Sequence, residues 1–244
     1  MSRLWLIVPA AGKGSRMGAQ RPKQYLPLGE RCVLELTLTR LHQAFPEAQL
    51  RLCLAEDDHW FDPTWVPFAD WQRVAGGEQR ADSVRQALAS LEGQAADDDL
   101  VLVHDVARPC VDLNDLARLL EALVDDPVGA LLAAPVADTM KRADATKRVA
   151  VTESRESLWH ALTPQGFRFR LLVNALDEAR RLGVTVTDEA SAVEALGHAP
   201  RLIAGRRDNL KITHPEDLML AEQILAAQRN SCASLSSPDK EAAS

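Results

Sequence analysis

The chain has 244 residues, 46% apolar and 26% charged, enough to bury a full core as one α/β domain or two small ones. Its 28 Lys and Arg against 35 Asp and Glu give a formal net charge of -7, which weighs against a nonspecific nucleic-acid binder, a role that needs a basic surface. The apolar start is far shorter than the ~20 residues of a membrane span and runs into polar loop without a small-residue cleavage site, so neither membrane insertion nor secretion is indicated.

Leu4 to Val8 reads as the first strand, and the loop after it, "PAAGKGSRMGAQRPKQYLPLG" from Pro9 to Gly29, concentrates glycines, prolines and cations. It is not a P-loop, which ends in Gly-Lys-Ser/Thr and leads straight into a helix; here Lys13 comes too early. Nor is it the dinucleotide fingerprint, because Gly12, Gly14 and Gly18 are spaced GxGxxxG, Pro22 interrupts a following helix and no acid stands at the expected distance. What remains is a loop whose glycines let backbone N–H groups approach an anion while Arg16, Arg21 and Lys23 supply positive charge, a cradle suited to a triphosphate.

Further apolar runs at Leu50 to Ala55, Leu100 to His104, Gly129 to Val136 and Arg201 to Ala204 alternate with helical patterns, which predicts a mostly parallel sheet covered on both faces. "VLVHDVARP" sets Asp105 at a strand end, where ligand crevices open in such sheets. A carboxylate there either joins substrate phosphates in holding Mg2+ or caps the turn and pairs with Arg108. His104 beside it reads as a hydrogen-bonding partner rather than a base, and no histidine stands in a nucleophile-elbow or HxxxH pattern.

"LNDLARLLEALV" carries Leu113, Leu116, Leu120 and Leu123 at helical spacing, one buried stripe. Residues 137–160 are charged and Thr-rich with a short alternating centre, the pattern of an extended hairpin or arm. "TDEASAVEALG" reads as a short helix with acids in its first turn and a stop at Gly197. After the last strand, "GRRDNLKITHPEDL" offers Asp208 as a second metal carboxylate and Lys211 as a cation, and Thr213, Pro215 and Glu216 form a capping-box start for the final helix. The segment 229–244 lacks periodicity and is expected to be a disordered tail. Cys32, Cys53, Cys110 and Cys232 show no CxxC pairing and fit a reducing, cytoplasmic setting.

Several blocks in order, "PAAGKGSRMGAQRPKQYLPLG", "GGEQRADSV", "VHDVARPCV", "PVADTMKR", "LWHALTPQGFR", "TDEAS" and "GRRDNLKITHPEDL", resemble the motifs of the 2-C-methyl-D-erythritol 4-phosphate cytidylyltransferase family, over roughly residues 3–227. The resemblance implies a three-layer α/β/α Rossmann-like nucleotidyltransferase fold with a mostly parallel sheet and an extended β-arm, residues 1–228 forming one domain. It implies transfer of a cytidylyl group from CTP to 2-C-methyl-D-erythritol 4-phosphate with release of pyrophosphate, in non-mevalonate isoprenoid precursor biosynthesis. Some relatives carry a fused cyclodiphosphate synthase, for which the chain ends too soon.

Carried over by position, Arg16, Lys23 and Lys211 match the catalytic cations. Ala10, Ala11, Gly77 and Ser83 match the cytosine pocket, with Gly12 and Gly14 in the same nucleotide-binding loop and Asp105 the metal-associated aspartate for Mg2+. Arg108, Thr139, Arg155 and Thr163 match the polyol-phosphate site. In the family the arm, here 137–160, reaches the neighbouring subunit, so a homodimer is expected. The alternatives are a ribitol-5-phosphate cytidylyltransferase, which would differ at Thr139, Arg155 and Thr163, and a noncatalytic nucleotide-binding regulator, which would lose the cations while keeping the glycines.

Overall fold

The computed structural model describes residues 2–12, 14, 17–18 and 21–235, the last five of these by their backbone alone. In chain order the elements are β1 (Leu4–Pro9), the short strands β2 (Pro27–Leu28) and β3 (Arg31–Cys32), α1 (Val33–Ala44), β4 (Gln49–Leu54), β5 (Trp71–Ala75), α2 (Arg80–Ala89), β6 (Leu100–Val103), α3 (Leu113–Asp125), β7 (Gly129–Pro135), β8 (Met140–Ala143), β9 (Val149–Glu153), β10 (Trp159–Arg168), α4 (Phe169–Arg181), α5 (Glu189–Ala195), β11 (Arg201–Ala204) and α6 (Glu216–Leu235).

Among the described residues a seven-stranded sheet runs in the order β11-β7-β10-β6-β1-β4-β5. It is parallel except for β10, which lies antiparallel between β6 and β7. Alternation along the strands sends side chains to two core layers. Leu6, Val8, Leu100 and Leu102 face α1 and α3, while Trp5, Ile7, Val101 and Val103 face α2, α4 and α5. Burial on both faces is why these strands read as continuous apolar runs. From β1 the chain builds outward to β4 and β5, then returns to β6 on the other side of β1. That reversal opens a crevice beyond the carboxyl ends of β1 and β6, as in other doubly wound sheets.

Besides the short β2 and β3, two strands of the main sheet were not expected from the sequence. β5, "WQRVA", is a half-polar edge strand, and β10 contains Pro164 and a register shift between Ala161 and Gln165. Pro164 suits that irregularity because a proline cannot donate to a ladder. The stripe of α3 is rotated slightly from the expected one: Leu116, Leu119 and Leu123 are fully buried, whereas Leu113 and Leu120 are only partly covered. At the start of α6 the reach-back acid is Asp217 rather than Glu216, its Oδ2 accepting from Thr213 N at 2.7 Å and His214 N at 2.8 Å. Helix α6 continues to Leu235, so the tail expected from residue 229 is helical as far as that residue; residues 236–244 lie outside those described.

The segment 137–160 forms the expected hairpin, with β8 paired antiparallel to β9 as a separate two-stranded ribbon. Because Leu119 has no exposure, Leu119→Ala should destabilise the protein by about 2–5 kcal/mol in denaturant unfolding. Leu120→Ala should cost clearly less, and the reverse ranking would contradict the orientation of α3.

Candidate functional site

The crevice is a cleft of about 680 Å³, within the size range of small-molecule sites. The residues just after β1, Ala10 to Gly12, form one wall. Gly76 to Arg80, between β5 and α2, form a second, and Asp105 to Ala107, just after β6, the floor. Lys23 and Lys211 enter from two further loops. At one end the walls are packed at backbone contact: Gly76 N–H donates to Leu54 O at 2.7 Å, and a Cβ on Gly76 would stand 2.1 Å from the Ala11 Cβ. Only glycine fits there. Gly77 N–H donates to Ser83 Oγ at 3.0 Å, so the first turn of α2 shapes this end.

Lys23 sits in a single 3-10 turn, Lys23–Tyr25, that closes the opening loop. Gln24 Nε2 donates to Ala10 O at 2.6 Å and Tyr25 Oη to Asp58 Oδ2 at 2.6 Å, which tie that turn to β1 and to the loop after β4. Lys23 Nζ donates to Ile212 O at 3.0 Å. Arg21 stacks over the Trp60 ring at 4.9 Å rather than entering the cleft lining.

The floor is dominated by charge. Asp105 is buried, with Arg80 Nε 2.7 Å from its Oδ1, Lys211 Nζ 2.7 Å from its Oδ2 and Arg108 Nε 3.6 Å from the same Oδ2. Burial alone would raise the Asp105 carboxyl, but Arg80 and Lys211 hold it well below the usual carboxylate range. Arg80 is in turn forked onto Glu189, Nη1 to Oε1 at 2.6 Å and Nη2 to Oε2 at 2.9 Å. Burial would lower the Arg80 guanidinium; the two carboxylates more than reverse this.

Behind the floor runs a buried relay. Asp105 N–H donates to Thr163 Oγ1 at 3.1 Å, Thr163 Oγ1 lies 3.1 Å from His104 Nδ1, and His104 Nε2 lies 3.1 Å from Arg108 O. A carbonyl only accepts, so Nε2 carries the proton and Nδ1 accepts from the threonine hydroxyl. Arg108 Nη1 donates to Asn209 O at 2.6 Å, Asn209 Nδ2 to Thr163 O at 2.8 Å and Ile212 N to Ala107 O at 2.8 Å. These bonds dock the loop after β11 onto the floor, which is what brings Lys211 to Asp105.

Over residues 4–227 the chain matches the family model of 2-C-methyl-D-erythritol 4-phosphate cytidylyltransferase, IspD. The chain belongs to this family. It is similar to the 2-C-methyl-D-erythritol 4-phosphate cytidylyltransferase of Chromohalobacter salexigens, 70% identical over 226 residues that cover 93% of this chain and 91% of the relative. Among solved structures it resembles a 4-diphosphocytidyl-2C-methyl-D-erythritol synthase with a TM-score of 0.80 at 38% identity, covering 92% of this chain and 99% of that one. It also resembles the 2-C-methyl-D-erythritol 4-phosphate cytidylyltransferase of Thermus thermophilus, with a TM-score of 0.75 at 36% identity, covering 94% of this chain and 100% of that one.

Of the residues that the family pattern singles out, the cleft lining brings together Ala10, Ala11, Gly12, Gly14, Lys23, Gly77, Ser83, Asp105 and Lys211. Arg108 and Thr163 pack behind the floor. Thr139 and Arg155 are exposed at the base of the arm, with Arg155 Nη1 donating to Ala137 O, and do not line the cleft of the same chain. Arg16 lies outside the described residues. Asp208, expected as a second metal carboxylate, is instead clamped by Arg206, with Nη2 to Oδ2 at 2.5 Å, and is not part of the lining; its neighbour in sequence satisfies it locally. Arg80 and Glu189 were missed as site residues, although both stand inside family blocks, because nothing local shows that they meet.

The buried His104 gives the site a pH signature. Burial pushes its imidazole from the ordinary 6.5 down to about 4, so between those values the unfolded chain binds a proton that the folded protein refuses. Stability must therefore fall as pH is lowered through that window. Denaturant unfolding should give about 2 kcal/mol less stability at pH 5 than at pH 7, and His104→Asn should remove most of that difference. An unchanged slope in the variant would contradict the neutral, buried imidazole.

Proposed function

We infer that the cleft performs the cytidylyl transfer of its family: CTP and 2-C-methyl-D-erythritol 4-phosphate give 4-diphosphocytidyl-2-C-methyl-D-erythritol and pyrophosphate, a step in isoprenoid precursor synthesis. The observation that carries this reading is one cleft lined both by a tightly packed glycine wall and by cations set around a buried carboxylate. The backbone groups of Ala10, Ala11 and Gly77 with Ser83 form a slot suited to a pyrimidine. Lys23 and Lys211 stand where a triphosphate extending from that slot would lie.

The attacking group is a phosphate oxygen that is already anionic at neutral pH, so no strong general base is required. The difficulty is bringing two anions together and stabilising the charge that develops around the α-phosphorus. Fixed cations serve both ends without reorganising during the reaction. In this reading Lys23 and Lys211, with Arg16, are the catalytic cations. Arg108 and Thr163 belong to the acceptor's site, and Thr139 and Arg155 complete it from the arm.

Asp105 is the hard oxygen donor of the cleft floor, and its chemistry fits Mg2+, which commonly takes one or two carboxylates and draws its other ligands from phosphates and water. Among the described residues no three His, Cys, Asp or Glu side chains converge as a protein-only metal cage. Held by Asp105 and the triphosphate, the ion would offset phosphate charge. A homodimer through 137–160 is supported by the arm's exposed Val149, Val151, Leu158 and Trp159 and by the placement of Arg155 and Thr139 away from their own cleft. A cytoplasmic setting is supported by Cys32, Cys53 and Cys110, each buried and unpaired, as thiols in a reducing compartment are. Among the described residues no helix is long and apolar enough to cross a membrane.

Pyrophosphate release with CTP tests the reading directly. It should require 2-C-methyl-D-erythritol 4-phosphate; an equal or faster rate with ribitol 5-phosphate would reassign the acceptor, and CTP binding without turnover would make the protein a nucleotide-binding regulator. Lys23→Ala should lower kcat by on the order of 10²–10³ while weakening CTP binding less. A change confined to KM would remove Lys23 from the transition state.

A further inference from the structure

We propose that Arg80 and Glu189 form a positioning pair that sets how Asp105 is shared, leaving one edge of its carboxylate to Lys211 and to the cations of the reaction. The proposal rests on the reading of the cleft as a cytidylyl-transfer site. A guanidinium facing a lone carboxylate tends to bind it through two parallel hydrogen bonds. Here Glu189 takes both terminal nitrogens of Arg80, at 2.6 and 2.9 Å, so Nε alone, at 2.7 Å, reaches Asp105 Oδ1. Oδ2 is thereby left to Lys211 at 2.7 Å.

Glu189 is itself fixed. It is 1% exposed and opens α5, whose first turn is pinned by Gln165 of β10: Oε1 accepts from Ala190 N at 2.8 Å and Nε2 donates to Asp188 Oδ2 at 2.8 Å. The same strand supplies Thr163, which receives the Asp105 N–H. Asp105 is thus held at its backbone directly from β10 and at its carboxylate from β10 through Gln165, Glu189 and Arg80. Arg80 also begins α2, directly after the glycine wall. One side chain therefore links the base-proximal wall to the cationic floor.

The charges of this cluster set the direction of the effect. Arg80, Arg108 and Lys211 face Asp105 and Glu189. With Glu189 neutralised, the whole fork of Arg80 is free to turn onto Asp105, and Lys211 loses its anchor on Oδ2. With Arg80 removed, two carboxylates lose their common cation and Asp105 is no longer aimed.

The test is a double-mutant cycle on the purified full-length protein, with kcat and KM for CTP measured separately and melting temperature as a folding control. Arg80→Gln and Glu189→Gln should each lower kcat by about 10–100-fold, the usual loss when a supporting partner of a site ligand is removed, with the smaller change in KM. In an Asp105→Asn background either substitution should add less than about threefold, since residues acting through one group do not add. Arg80→Lys, which keeps the charge, should recover part of the Arg80→Gln loss and serves if Arg80→Gln does not fold. A crystal structure of Glu189→Gln should show Arg80 forked onto Asp105 and Lys211 displaced. Equal losses in both Asp105 backgrounds, or an unmoved Lys211–Asp105 pair in that structure, would overturn the proposal. An inactive wild type would instead sink the cytidylyl-transfer reading itself.

Discussion

A single carboxylate, Asp105, sits where three separate parts of the chain meet. It follows the central strand β6, and its carboxylate is contacted by the first residue of α2, by Arg108 of its own turn and by the loop after β11. Burying an anion there is expensive on its own, and withdrawing one partner from a buried pair typically costs about 3–5 kcal/mol. The surrounding segments are therefore constrained to deliver cations to that point. The Arg108–Asn209 and Ala107–Ile212 bonds, which carry Lys211 inward, and the Gln165 contacts, which hold Glu189 under Arg80, are the local means by which this is met.

The same constraint shapes the chemistry. Cations needed to neutralise Asp105 in the free protein already stand on the wall where a triphosphate would extend from the glycine-walled slot. A charged ligand need not organise them from solvent, and preorganisation of this kind is the main source of electrostatic catalysis. The uncharged end works by a different principle: Gly76 lies so close to Ala11 that shape, rather than charge, limits what enters. The two ends are coupled because Arg80 belongs to both, closing the glycine wall and reaching Asp105.

The fold was largely readable because burial on both faces leaves a one-dimensional trace: β1, β4, β6 and β7 are near-continuous apolar runs. β10 left no such trace. Its first three residues are exposed, its buried stretch contains the polar Thr163 and Gln165, hydrogen-bonded to Asp105 and to α5, and Pro164 sits at the irregularity in its ladder. The floor residue Asp105 and the loop cation Lys211 could be named from their positions after strands. The Arg80–Glu189 pair could not, since its members lie 109 residues apart and meet only through the packing of α5 against α4 and β10. Asp208 is the reverse case: a carboxylate in a promising loop pairs with Arg206 two residues away and stays outside the cleft lining, a local bond that composition cannot weigh against a distant ligand.

The function turns on one cleft holding a cytidine triphosphate with its base at the glycine-walled end and its phosphates beside Lys23 and Lys211. A crystal structure of the protein with a nonhydrolysable CTP analogue measures this directly. The cytosine should lie against the Gly76–Gly77 backbone and the triphosphate should run toward Asp105 within hydrogen-bonding distance of both lysines. A nucleotide bound with its phosphates directed away from those lysines, or seated outside the cleft, would contradict it.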